Sequence, residues 1–136
     1  MEYIDLGLPS GTLWAEENEG GYYNFDEAVE KYGDSLPTRE QFEELISQCK
    51  WEWTGNGYKV TGPNGNYIVL PAAGYLFCSG FVGRVGSYCR YWSSTPVDSY
   101  DAWEFWFDSI SVNMDDYSRD SSGMVRLVEN CKKQRI

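Results

Sequence analysis

The chain has 136 residues, 17% of them aromatic and 24% charged, with a formal net charge of -10 and no histidine. That length suits one domain with a packed core, and the aromatic content is too high for a disordered acidic segment. The charge opposes binding to phosphate backbones, so nucleic acid is excluded as a partner class. No apolar run approaches the roughly 20 residues that span a bilayer, which argues against membrane insertion. The start, Met1-Glu2-Tyr3-Ile4-Asp5, has no basic region followed by an apolar run, so no secretory signal is expected in the chain as it stands.

Two helices are expected in the first half. Asn24 with Glu27 forms a capping-box pair ahead of Phe25, Ala28, Val29 and Tyr32, and Gly33 supplies the stop. Thr38 with Gln41 repeats the device ahead of the stripe Phe42, Leu45, Ile46 and Cys49. Each helix is short and one-sided, so each must pack on something else. A sheet follows: Trp51, Trp53, Tyr58 and Val60 alternate with polar residues, Tyr67 and Val69 are expected to continue the same face, and turns break the run at Gly55-Asn56-Gly57 and Pro63-Asn64-Gly65. The glycine-rich stretch from Gly74 to Ser87 matches no phosphate-cradling or dinucleotide motif and is expected to be an irregular connection.

From Ala102 to Asp108 the alternation is strict. Trp103, Phe105 and Phe107 share one face, expected to be core, while Glu104, Trp106 and Asp108 share the other. A large aromatic between two carboxylates is unusual for a solvated face, although edge packing would also explain it. Val112 and Met114 are expected to return along the core face, followed by a polar segment from Asp115 to Gly123 and a closing strand from Val125 to Val128. Residues 132–136 are expected to be a solvated tail after a single domain over 1–131.

Several segments together resemble one family: Tyr3-Ile4-Asp5-Leu6-Gly7-Leu8-Pro9-Ser10-Gly11, Leu36-Pro37-Thr38, Val60-Thr61-Gly62-Pro63-Asn64-Gly65-Asn66, Leu70-Pro71-Ala72-Ala73-Gly74, Tyr91-Trp92-Ser93-Ser94-Thr95 and Val125-Arg126-Leu127-Val128. The chain resembles the lectin-like domains of gut Bacteroidetes and their phages, including the variable proteins of diversity-generating retroelements. The resemblance implies an α+β, C-type-lectin-like fold with a mixed antiparallel sheet and two flanking helices, related to the phage major tropism determinant and the formylglycine-generating enzyme. It implies a ligand-binding domain of receptor or adhesin type, on a cell surface or phage virion, for a protein or glycan on another cell surface. In diversified members, adenine mutation varies a C-terminal surface. The matching positions here are Val97, Asp98, Tyr100, Asp101, Glu104, Trp106, Asp108, Ile110, Asp115, Asp116, Tyr117 and Asp120, on a framework of Trp92, Trp103, Phe105, Phe107, Val112, Met114 and Arg126. A fixed-sequence adhesin, or a phage-tail or fimbrial tip subunit, is the alternative, and a homo-oligomer stays open. Ser121-Ser122-Gly123-Met124 departs from the family spacing.

The chemistry points away from catalysis. Without histidine there is no serine–histidine or cysteine–histidine nucleophile system. Glu104 and Asp108 lie about 13 Å apart at ~3.3 Å per residue of strand, too far for glycoside hydrolysis. The oxidase relative needs two close cysteines near its C-terminus, where only Cys131 stands. No cofactor or metal is expected: Asp115, Asp116 and Asp120 lack the spacing of a calcium loop, and the four cysteines (Cys49, Cys78, Cys89, Cys131) lack that of a zinc site. Buried free thiols are the expected state, with a Cys78–Cys89 disulfide across the glycine-rich stretch as the alternative, worth roughly 2–4 kcal/mol. Arg119 is expected to pair with the nearby aspartates and Arg126 to serve structural hydrogen bonds.

Overall fold

A computed structural model describes residues 2–76 and 80–130. The expectations on Cys78, Cys131 and the 132–136 tail lie outside the described residues. In chain order, β1 (Tyr3–Asp5) and β2 (Leu13–Ala15) form an antiparallel pair, and β3 (Glu19–Tyr23) leads into α1 (Phe25–Tyr32). A short 3-10 turn, Gly33–Ser35, precedes α2 (Arg39–Gln48), and a meander follows from β4 (Lys50–Trp53), β5 (Gly57–Thr61) and β6 (Tyr67–Pro71). The two-residue strands β7 (Tyr75–Leu76) and β8 (Val82–Gly83) pair within the glycine-rich stretch. Then come β9 (Tyr88–Pro96), β10 (Asp101–Asp108), β11 (Val112–Ser118), β12 (Gly123–Val125) and β13 (Val128–Glu129).

Both helices start where their caps place them. Asn24 accepts from the Glu27 backbone N–H while Glu27 reaches back to the Asn24 N–H, and Thr38 and Gln41 repeat this reciprocity. α1 ends at Gly33, whose φ of 51° is one that a β-carbon resists. Phe25 and Ala28 of α1, and Phe42 and Leu45 of α2, are buried.

The main sheet is mixed, in the order β11-β10-β9-β12-β3, with β12 running parallel to β9 through Met124 and Tyr91. α2 packs on one face, where Phe42 stacks on Phe105 with centroids 5.1 Å apart and Phe107, Tyr58 and Tyr91 extend the cluster. α1 covers part of the opposite face, where Phe25 meets Trp92 at 5.4 Å in a second cluster with Leu36, Ala102 and Val125. A third small sheet, β1-β2-β13, ties the two ends of the described chain together. The architecture is thus α+β, with several sheets and two short helices.

The segment Trp92–Thr95 is a joint. Trp92 Nε1 donates to the Tyr23 carbonyl at 2.8 Å, Ser93 Oγ donates to the Trp103 carbonyl at 2.6 Å, and the Ser94 N–H donates to the Pro37 carbonyl at 2.8 Å. Arg126 is another: it is 1% exposed, and its guanidinium donates to Asn18 Oδ1 (2.7 Å), the Ala15 carbonyl (2.8 Å) and the Val69 carbonyl (2.6 Å). That is the structural role expected of it. Gly62 lies so close to the Leu6 carbonyl that a β-carbon would collide with it, and Asn64 and Asn66 both donate to the Asp5 carbonyl.

Four expectations are corrected. In β6 the core residues are Ile68 and Leu70, while Tyr67 and Val69 are exposed, a shift of one residue that exchanges the faces. β11 continues through Asp115 to Ser118, which had read as a polar segment, because each of its residues finds a register partner on β10. The closing strand breaks at Arg126-Leu127 into β12 and β13, since the Arg126 side chain is drawn under β2 and β6. Trp103 is half-buried, its ring lying under the Arg39 guanidinium at 3.7 Å beyond the reach of the main cluster. Cys49 and Cys89 are free thiols; Cys89 is fully buried, and burial pushes it up to about 11.

Candidate functional site

The β9-β10-β11 face opposite α2 changes character along its length. Cross-strand register aligns Asp108 with Tyr88, Trp106 with Arg90, and Glu104 with Trp92. At the Trp92 end α1 and β12 seal the row; at the other end Tyr88 is buried under Tyr75, Trp106 and Arg84, and it is Trp106 that stays half-open to solvent. Gly123 lies against Glu104 so closely that a β-carbon there would fall 2.7 Å from Oε2.

At the open end Trp106 stacks on Tyr88, with centroids 5.8 Å apart and the planes within 26°. The Arg84 guanidinium lies 4.4 Å from the Tyr88 ring centre. Arg84 holds a φ of 60°, so this cation–ring contact is built on backbone that side chains usually avoid. Arg84, Tyr88, Trp106, Asp108 and Tyr117 line a shallow pocket of about 260 Å³. The Trp106 indole N–H is buried without a hydrogen-bond partner. Burial, with Tyr117 beside it, also raises the Tyr88 hydroxyl above its ordinary range.

Beside this pocket, Arg90 lies between two rings, 4.3 Å from the centre of Tyr75 and 5.2 Å from that of Tyr117. It faces a cleft of about 390 Å³ walled by β3, β7 and the turn at Asp120–Ser122. Behind it, Glu104 is 0% exposed, with its Oε1 3.6 Å from Arg90 Nε. Burial pushes the Glu104 carboxyl up to about 8, and Arg90 draws it only partly back.

The expected contact positions separate into distinct environments. Val97, Tyr100 and Ile110 are exposed at the two strand connections, Tyr100 at 78% and Ile110 at 88%. Asp98 and Asp108 are turn formers: Asp98 accepts from the Tyr100 and Asp101 N–H groups, which lowers its carboxyl, and Asp108 accepts from those of Ile110 and Ser111. Asp115, Asp116 and Asp120 are exposed, Asp101 is half-buried, and Trp106 and Tyr117 are half-buried in the aromatic row. Glu104 is the exception, because the second layer covers its end of the face. Arg119 does not pair with the neighbouring aspartates. It reaches Asp26 of α1 at 3.5 Å, donates to the Asp98 carbonyl and lies 4.9 Å from the Phe25 ring centre.

Sequence reasoning missed Arg90, Tyr88, Tyr75 and Arg84. For Arg90 a signal existed, since it alternates with the core residues Cys89 and Tyr91 in a strand that must pair with β10. Among the described residues no group of three or more histidine, cysteine, aspartate or glutamate side chains is placed to hold a metal, and no helix is long and apolar enough to cross a membrane. No curated protein and no solved structure matches the chain. A family model described as a domain of unknown function (DUF8237) matches residues 43–128, from within α2 to the start of β13, and so takes in the whole of this face. That match covers more than half of the sequence, and the chain belongs to this domain family.

Proposed function

We propose that the chain is a ligand-binding domain of receptor or adhesin type, with a C-type-lectin-like fold, that recognises a protein or glycan on another cell surface. The observation that carries this reading is half-exposed Trp106 stacked on a buried Tyr88 under Arg84, flanked by Tyr117 and by exposed Ile110 beyond the end of β10. Rigid aromatic groups give large contact area with few rotors, and arginine adds charge and planar stacking, which is the composition of residues that dominate binding energy. Binding rather than catalysis fits a chain with no histidine and with Glu104 sealed behind Arg90. Replacing Trp106 by alanine is expected to weaken capture of whole cells or of surface extracts at least about tenfold, with the melting temperature changed by less than about 4 °C. Unchanged capture would refute this reading.

Whether retroelement mutation diversifies the surface is a separate matter. Exposed Val97, Tyr100, Ile110, Asp115 and Asp116 are free to vary without loss of structure. A fixed-sequence adhesin or tip subunit is favoured by the turn-forming bonds of Asp98 and Asp108 and by the enclosure of Glu104, since those positions carry folding tasks. Deep sequencing of the gene's 3′ third from a clonal population decides between them: substitutions at the exposed positions, with the aromatic framework constant, mark diversification, and uniformity marks the fixed form.

A further inference from the structure

Arg90 and Glu104 face each other without satisfying each other. Both Glu104 carboxyl oxygens and Arg90 Nε lack a hydrogen-bond partner, and their 3.6 Å separation is an ion-pair contact too long for a hydrogen bond. With its carboxyl pushed up to about 8, Glu104 is mostly protonated at neutral pH, which leaves the Arg90 charge without a counterion behind it. Tyr75 and Tyr117 hold the guanidinium plane from two sides. In front lies the cleft of about 390 Å³, which Asp120 and Ser121 also line. The start of α1 also borders this space, but its capping box already occupies the Asn24 and Glu27 N–H groups.

We propose that this cleft binds an acidic monosaccharide unit, its carboxylate taken by the Arg90 guanidinium and its hydroxyls by Asp120 and Ser121. The planar fork of arginine matches a carboxylate in two parallel hydrogen bonds. A sugar ring fits the volume, and its hydroxyls can donate hydrogen bonds to the carboxylates of Glu27 and Asp120 on the rim, which oppose a doubly charged phosphate more strongly than a singly charged carboxylate. The inference rests on the reading that this end of the sheet is a binding surface. The titratable and charged groups facing Arg90 are Glu104 of β10, Tyr88 of its own strand, Tyr117 of β11 and Tyr75 of β7. Tyr23 of β3, Glu27 of α1 and Asp120 of the turn complete the set. As Glu104 ionises above about pH 8 it competes for Arg90, so carboxylate binding weakens there.

The test is titration of the full chain with D-glucuronate, D-glucose and acetate, followed by NMR at about pH 6.5 and about pH 9.5, on either side of the Glu104 value. Glucuronate is expected to bind at least about tenfold more tightly than either control, as a bidentate charged contact plus hydroxyl contacts requires, and to weaken at least about threefold at the higher pH. Arg90→Lys keeps the charge and loses the fork, and is expected to weaken binding about fivefold or more. Glu104→Gln is expected to bind alike at both pH values. Glucuronate that does not bind, or binds no better than glucose or acetate, overturns the proposal, as does pH dependence that survives Glu104→Gln. Failure here with Trp106→Ala still abolishing cell capture removes the cleft assignment alone; failure of both removes the binding surface.

Discussion

Glu104→Gln is expected to flatten the pH dependence of stability between about pH 4.5 and 8. In the unfolded chain the carboxyl releases its proton near its ordinary value of 4.5; in the folded chain it holds it to about 8. Within that window the folded state carries a proton that the unfolded state has lost, so raising the pH shifts the equilibrium toward unfolding. The stabilising contribution is complete below about 4.5, declines through the window and levels off above about 8. Each tenfold difference in proton affinity corresponds to about 1.4 kcal/mol, so the wild-type chain loses about 3 kcal/mol by pH 7 and about 5 kcal/mol over the whole window through this one group. For a domain of this size, about 3 kcal/mol corresponds to a melting shift of about 10 °C. The assay is urea unfolding of wild type and variant, followed by tryptophan fluorescence at several pH values, with the difference in unfolding free energy plotted against pH. The glutamine amide has its own unpaired donors, so the constant offset carries no weight, whereas the slope does. Parallel curves, with a difference constant to within about 0.5 kcal/mol, would refute the enclosed, protonated state of Glu104.

Two further substitutions test the frame. Arg126→Met removes three hydrogen bonds and leaves the Ala15 and Val69 carbonyls without these donors; a loss of at least about 3 kcal/mol in urea unfolding is expected, and a loss under 1 kcal/mol would contradict the joint described for it. Thr38→Ala removes one half of the α2 capping box and is expected to cost about 1 kcal/mol in the same assay, without change in the urea dependence.

The parts of the fold legible in the sequence are those fixed by local chemistry. A capping box is a contact between residues three apart, and it placed both helix starts. The meander was legible from its turns, but the facing of β6 was not: Tyr67 to Leu70 is an unbroken apolar run, so both alternating sets qualify as core. What selects Ile68 and Leu70 is their register opposite Val60 and Tyr58, a long-range property. β11 is the same case, with an acid-rich sequence held as a strand by pairing with β10. The segments that carried the family resemblance turn out largely to be joints, among them Trp92–Thr95, Gly62 with Asn64, and Arg126, which is why they were visible as motifs while saying little about ligand.

The site divides along the same line. Trp106 stood out because a large aromatic between two carboxylates is unusual on a solvated strand face. Glu104, two residues away, shares that face and that alternation, yet it is enclosed. Period-two patterning reports which side of a strand a residue takes; it does not report where along that side a second layer ends. Here α1 covers the face as far as Trp92 and Ala102 and stops short of Trp106. The boundary falls between Glu104 and Trp106, and Arg90 lies across it, against the buried carboxyl on one side and the open cleft on the other. A charged group held at such an edge senses both the protonation state behind it and the ligand in front of it. That coupling comes from the packing of β9, β10 and α1, elements far apart in the chain, and no window of sequence contains it.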